Sequence, residues 1–190
     1  IEFIVPLFGL HNVSNIMAAI ACAESLGIPL SAASEAQRSF DNVGKRNDIT
    51  DGSFVVVNDT YNSNPLSLRA ALRSLGSIYN GRRTLAVLSD MKELGEHGEL
   101  CHRESGAEVA KNGFSRLYTW GELSRFIADG AVDAGMDSSN VLHFSSKDEL
   151  IQRLTADVKA GDAVLVKGSR SMKMEEVADV LARHATCSTI

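Results

Sequence analysis

Asn58-Asp59-Thr60-Tyr61-Asn62-Ser63-Asn64-Pro65 gathers an acid, a phenol and several carboxamides in one short run. Such groups bind hydroxyls, amines and carboxylates. Phe54-Val55-Val56-Val57 precedes them, and its consecutive β-branched residues predict a buried strand. Behind them Leu68, Ala71, Leu72 and Leu75 recur at helical spacing. Pro65 suits a helix first turn, and Asn64 can cap the N–H groups behind it. The polar run therefore sits at the carboxyl end of a strand, the edge where open α/β sheets bind ligands. A well-capped polar turn accounts for the same residues, because Asn and Asp favour such turns.

A second polar run is Val166-Lys167-Gly168-Ser169-Arg170. Gly168 permits close backbone approach, Lys167 and Arg170 supply cations, and Ser169 adds a hydroxyl beside the start of a helix. Together they suit a carboxylate or phosphate. Ser89-Asp90-Met91-Lys92-Glu93-Leu94-Gly95 puts Asp90 and Glu93 at the end of another strand, though a plain loop entering a helix explains it equally. His11-Asn12-x-x-Asn15 sets two carboxamides on one helix face, unless Asn12 is simply a cap. The sequence holds neither Gly-x-x-x-x-Gly-Lys-Ser/Thr nor Gly-x-Gly-x-x-Gly after a strand, so it carries no phosphate cradle of its own. His102 lies near these turns, and no histidine belongs to a metal triad.

The elements that must position these residues alternate. Strands are expected at Phe54–Asn58, Thr84–Leu88, Arg116–Trp120, Val141–Phe144 and Ala163–Val166. Helices are expected at Pro65–Ile78, Gly98–Lys111, Leu123–Ala134, Lys147–Lys159 and Met172–Ala185. This repetition predicts an α/β, Rossmann-like, mostly parallel sheet with helices on both faces. An edge strand near Ile49 could extend it. The N-terminal part reads differently. Ile1 to Phe8 is expected as a strand, and Gly9 to Asn15 opens a helix with Ile16, Ala19, Ile20 and Ala23 as its apolar stripe. Gly27 ends that helix, and Ser31 to Phe40 forms another, capped by Ser31 or Ser34. One strand and two helices make a thin core, so this part reads as a helical remnant of another domain. Polar Asp41 to Asp51 holds the boundary, giving units 1–43 and 44–190.

Of the 190 residues 44% are hydrophobic, which excludes a disordered chain. The net charge of −5 is scattered and argues against a nucleic-acid surface. No apolar run approaches the roughly 20 residues of a membrane span. Cys22, Cys101 and Cys187 lack zinc spacing and suit free thiols in a reducing cytoplasm. The chain has no basic leader and no initiator Met, as expected of a fragment. A cytoplasmic monomer is expected.

Gly9-x-His11-Asn12-x-x-Asn15-x-x-Ala18-Ala19, Gly44-x-Arg46, Asp59-x-Tyr61-Asn62-x-Asn64-Pro65 and Lys167-Gly168-Ser169-Arg170, in this order, resemble the Mur ligase family. These are ATP-dependent amide ligases of peptidoglycan precursor synthesis. The Asp59 turn, Asp90-Met91-x-Glu93-Leu94-Gly95 and Leu165-Val166-Lys167-Gly168-Ser169-Arg170 most resemble members adding D-alanyl-D-alanine to UDP-N-acetylmuramoyl tripeptide. Lys45 stands where the family has Gly within Pro-Gly-Arg, and Ser89 where it has Gly before Asp. The resemblance implies that 1–43 ends the family's central, ATP-binding domain and that 44–190 is its C-terminal domain. It implies ATP as cosubstrate, with Mg2+ held elsewhere in the full-length enzyme. It also implies that Asn12, Asn15, Arg46 and Asp59 serve the nucleotide, Asp59 at the ribose. Tyr61, Asn62, Asn64, Lys167, Ser169 and Arg170 then form the dipeptide rim. Ligases adding a diamino acid, or glutamate to folate, carry Asp-Tyr-Ala-His or Asp-Gly-Ala-His at the Asp59 turn, which this chain lacks. A non-catalytic nucleotide-binding or receiver-like module, or a free-standing interaction domain, remains the alternative from another class. The missing glycine fingerprint counts against the first of these, and Trp120-Gly121-Glu122, where a receiver has its phospho-acceptor acid, counts against the second.

Overall fold

The computed structural model describes residues 1–4, 10–38 and 48–187. Its contacts divide the chain into two units, Ile1–Val43 and Gly44–Ile190.

The first unit holds α1, Leu10–Ser25, and α2, Leu30–Arg38. The turn after α1 is closed by the Gly27 N–H on the Glu24 carbonyl. Ile1 to Ile4 are not a strand. A strand needs a hydrogen-bonded neighbour, and helices offer no ladder; Val5 to Phe8, the rest of that expected strand, lie outside the described residues. Ser31 lies within α2 and is not its cap, and Ser34 is not a cap either. It lies within α2, and its hydroxyl donates to the Glu2 carbonyl at 2.8 Å. Ile20 is the buried hydrophobic residue of this unit among the described residues. Amide exchange is therefore expected to be fast throughout α1 and α2 and slow in the strands beyond residue 54, by a factor of at least about a hundred. Equal protection in both units would contradict this account of where the core lies.

In the second unit six strands form one sheet in the order β1-β2-β6-β3-β4-β5. They are β1 (Asp48–Asp51), β2 (Val55–Asp59), β3 (Thr84–Ser89), β4 (Arg116–Trp120), β5 (Val141–Phe144) and β6 (Ala163–Lys167). β1 is the antiparallel edge, and the other pairings are parallel. Between strands run α3 (Pro65–Ile78), α4 (Gly98–Lys111), α5 (Arg125–Asp133) and α6 (Lys147–Asp157), with α7 (Glu175–Cys187) last. The central strands are buried on both faces, which explains their near-continuous Val and Leu runs. Val56, Leu85, Val87, Tyr118, Val164 and Val166 pack under α6 and α7 through Leu150, Leu154, Val177 and Leu181. Alternation along each strand turns the intervening residues toward α3, α4 and α5.

Several boundaries shift for identifiable reasons. α5 begins at Arg125 and not Leu123, because the Leu123 and Ser124 N–H groups are held by a carboxylate from another loop. α7 begins at Glu175 and not Met172. Arg170–Met172 forms a tight 3-10 turn, closed by Lys173 in the left-handed region. β2 extends to include Asp59.

Candidate functional site

Three polar turns meet at the carboxyl ends of β2, β6 and β3. The cause is strand order: β6, last in sequence, lies between β2 and β3. Its register pairs Lys167 with Asp59 on one side and with Leu88 on the other. Residues paired across parallel strands point to the same face, so Lys167 and Asp59 meet.

The Lys167 ammonium donates to Asp59 Oδ2 at 2.5 Å and to the Asn62 carbonyl at 2.9 Å. Both side chains are withdrawn from water, at 2% and 12% exposure. Burial of either charge alone would be costly, and each is the other's compensation. The sequence reading set Asp59 and Lys167 on opposite sides of the rim; the fold joins them, and Lys167 braces the turn of residues 59–65 from below. Thr60, fully buried, donates its hydroxyl to Asn58 Oδ1 at 2.7 Å. Asn62 Oδ1 accepts from the Ser63 N–H. Asn64 caps α3 in a reciprocal box with Ser67, and Pro65 occupies the first turn. The turn is thus fixed from within. Tyr61, Asn62 and Asn64 remain exposed on its outer surface.

The second turn is organised by Asp90, which is 1% exposed. Its Oδ1 accepts from the Leu123 and Ser124 N–H groups at 3.0 and 2.8 Å, capping the start of α5. Its Oδ2 accepts from Lys92 Nζ at 2.9 Å. The Asp90 carbonyl accepts from the Ser169 N–H at 3.1 Å, and Ser169 Oγ accepts from the Lys92 N–H at 2.8 Å. One residue therefore ties together the loops after β3, β4 and β6. The sequence offered this stretch as a possible plain loop, because nothing local shows that its acid reaches the turn at Leu123. The run Asp90-Met91-x-Glu93-Leu94-Gly95 was the available signal.

Ser89 and Gly168 lie side by side. A Cβ on Gly168 would stand 1.9 Å from Ser89 Oγ and 2.9 Å from Met174 Cγ. Position 168 thus needs glycine for space. The Ser89 hydroxyl is buried and has no hydrogen-bond partner among the described residues.

Arg170 projects outward, its guanidinium 3.2 Å from Glu175 and 58% exposed. Ser169, by contrast, is buried and committed to the Lys92 N–H. In the first unit Asn15 donates to Asn12 Oδ1 at 3.3 Å on the exposed side of α1. Arg46 lies outside the described residues. Among the described residues no group of three or more His, Cys, Asp or Glu stands together as metal ligands. No helix among them is long and apolar enough to cross a membrane, and the three cysteines are free thiols.

Fold and rim together define a Rossmann-like α/β domain that gathers its polar groups at the carboxyl edge of a parallel sheet. The family model for the Mur ligase, glutamate ligase domain matches residues 45–170, and the chain belongs to the Mur ligase family. It is 36% identical over 177 residues to the UDP-N-acetylmuramoyl-tripeptide–D-alanyl-D-alanine ligase of Bacillus subtilis, covering 92% of this chain and 38% of that protein. Among solved structures, MurF from Acinetobacter baumannii superposes with a TM-score of 0.78 at 27% identity, over 92% of this chain and 38% of that one. MurF of Thermotoga maritima in complex with ADP gives 0.76 at 23% identity, over 94% and 39%. The chain thus spans well under half the length of the relatives it matches.

Proposed function

We propose that this chain is the dipeptide-receiving part of an ATP-dependent ligase that joins D-alanyl-D-alanine to UDP-N-acetylmuramoyl tripeptide. The observation that carries this reading is its 36% identity to such a ligase over 92% of the chain. The exposed polar surface of the turn of residues 59–65 agrees with it. Residues 1–43 are the end of the central domain, and 44–190 are the C-terminal domain. The ligase acts in the cytoplasm as a monomer.

The reaction runs in two steps. The tripeptide carboxylate attacks the γ-phosphorus of ATP, giving an acyl phosphate and ADP. The dipeptide amine then attacks the acyl carbon, the amide forms, and phosphate leaves with its electron pair. Nucleophile and acyl phosphate must be held together and shielded from water, and a C-terminal domain closing over a central one does this. Arg170, with Asn62, Asn64 and Tyr61, receives the dipeptide, whose carboxylate suits a guanidinium and amide N–H groups. Lys167 and Ser169 hold that rim in shape from beneath. Asn12 and Asn15 of the first unit, and Arg46 and Asp59 of the second, are each assigned to the nucleotide, since a carboxylate suits ribose hydroxyls and a guanidinium suits phosphate. On the same reading, the Mg2+ that accompanies ATP is held by the rest of the ligase.

The test joins this chain to the preceding segment of the Bacillus subtilis ligase and measures phosphate release with ATP and UDP-N-acetylmuramoyl tripeptide. D-alanyl-D-alanine should support turnover, while glutamate and a diamino acid should each give less than about a hundredth of it. The chain alone should release no phosphate above background, because the groups that offset charge in phosphoryl transfer are missing from its sequence. Turnover with glutamate in place of the dipeptide would refute the assignment, as would phosphate release by the purified chain alone.

A further inference from the structure

His102 is fully buried on the first turns of α4, on no rim surface, yet both its ring nitrogens are engaged. Nε2 lies 3.0 Å from the Met91 nitrogen and Nδ1 lies 2.6 Å from the Gly98 carbonyl oxygen. A backbone N–H can only donate, so Nε2 must carry the lone pair. The proton then sits on Nδ1 and is given to Gly98. Both bonds exist together only in this neutral tautomer. A second proton would face Nε2–H against the Met91 N–H.

Met91 is the middle of three consecutive residues fixed on two sides. Its neighbours' backbone groups, the Asp90 carbonyl and the Lys92 N–H, both engage Ser169. Its own N–H turns the other way, to His102. The ring is the anchor against which the loop after β3 holds the turn after β6. We infer that His102 is a positioning residue that, in its neutral form, sets the Lys167–Arg170 turn through the Asp90–Lys92 backbone. Its bearing on the dipeptide rests on the function proposed above; its bearing on the loop does not.

The surroundings support a neutral ring. Burial lowers its pKa below the ordinary 6.5, against the opposing pull of the Gly98 carbonyl and of Asp90, and Lys92 lowers it further. Among neighbouring charges, Asp129 and Asp133 of α5 are engaged by Arg103. Arg69 and Arg73 of α3 pair with Glu108. A folded pKa below the unfolded one means that the stabilisation is complete above the unfolded value near 6.5. It is lost as pH falls from there through the folded value.

The experiment compares the 190-residue chain with its His102→Gln and His102→Ala variants by amide exchange. A glutamine oxygen can accept from Met91 and its amide can donate to Gly98, and it does not titrate. At pH 7.5 His102→Ala should speed exchange at the Lys92 and Ser169 amides about tenfold, with β4 unchanged. His102→Gln should bring both back to within about twofold. Should His102→Ala fail to fold, lowering the pH from 7.5 until the ring protonates, followed by its imidazole NMR shifts, supplies the same perturbation. The Lys92 and Ser169 amides should then loosen in the wild type and not in His102→Gln. Wild-type protection in His102→Ala, failure of a folded His102→Gln to restore it, or equal acid loosening in both chains overturns the inference. In the joined ligase His102→Ala should raise KM for D-alanyl-D-alanine about tenfold with KM for ATP unchanged. If the amides respond and the dipeptide KM does not, the loop role stands and the placement of the dipeptide is what fails.

Discussion

Lys167→Met should lower the melting temperature of this chain by roughly 6–20 °C. Removing one member of a buried ion pair costs about 3–5 kcal/mol, because the partner charge stays buried without its counter-charge. For a chain of this size each kcal/mol moves the melting temperature by about 2–4 °C. Here the charge that loses its ammonium is Asp59, whose side chain is 12% exposed, and the same ammonium also holds the Asn62 carbonyl. Asp59→Asn should cost a similar amount for the converse reason. Asp59→Leu combined with Lys167→Met should recover more than half of the loss, since an apolar pair of similar volume leaves no charge buried alone. In the joined ligase both single substitutions should raise KM for ATP and for D-alanyl-D-alanine together. If Asp59 and Lys167 acted independently, one variant would track the nucleotide and the other the dipeptide. Thermal melts, with steady-state kinetics against each substrate, separate the two outcomes. A crossed kinetic pattern with unchanged melting would show that the pair is not the structural unit seen here.

Gly168→Ala should be a damaging single-methyl change at the rim. The new Cβ would lie 1.9 Å from Ser89 Oγ and 2.9 Å from Met174 Cγ. Met174 has a flexible side chain that can yield. Ser89 Oγ can turn about χ1, but Ser89 Cβ, 3.2 Å from the new Cβ, sits at the end of a central strand and moves only with β3. Overpacking of a tight site costs about 1–3 kcal/mol, so a fall of roughly 2–12 °C is expected. Ser89→Gly should rescue it: the double variant should melt within about 3 °C of the wild type, allowing roughly 1 kcal/mol for the added glycine. Ser89→Ala alone should be neutral or stabilising by about 1 kcal/mol, since it removes a buried hydroxyl that has no partner. Gly168→Ala melting like the wild type, or no gain in the double variant, would show that the close approach is not what requires glycine.

Much of this domain was legible in its sequence because much of it is local. Runs such as Val55-Val56-Val57 and Ala163-Val164-Leu165-Val166 specify buried strands through side-chain shape alone. The Asn64-Pro65 start of α3 is written within four residues, and its reciprocal cap with Ser67 forms as the residue types require. The alternation of strand and helix then dictates a parallel sheet with covered faces, which puts every strand-to-helix turn on one edge. Residue chemistry could therefore nominate the turns at Asp59, Asp90 and Lys167 without any knowledge of their contacts.

The contacts were decided by strand order, which periodicity does not encode. Insertion of β6 between β2 and β3 brings Lys167 onto Asp59, 108 residues earlier in the chain, and Gly168 against Ser89, at a separation of 168 − 89 = 79 residues. Asp90 is a turn acid by sequence and an α5 cap by structure, because the loop after β4 lies beside it. His102 is a lone histidine on a helix until α4 folds back beneath Met91 and both ring nitrogens find backbone partners. Sequence determined which elements form and which residue types crown them. Tertiary structure decided which charges meet, since a side chain's partner depends on which strands pair and in what register, and those pairings are made by chain segments distant along the sequence.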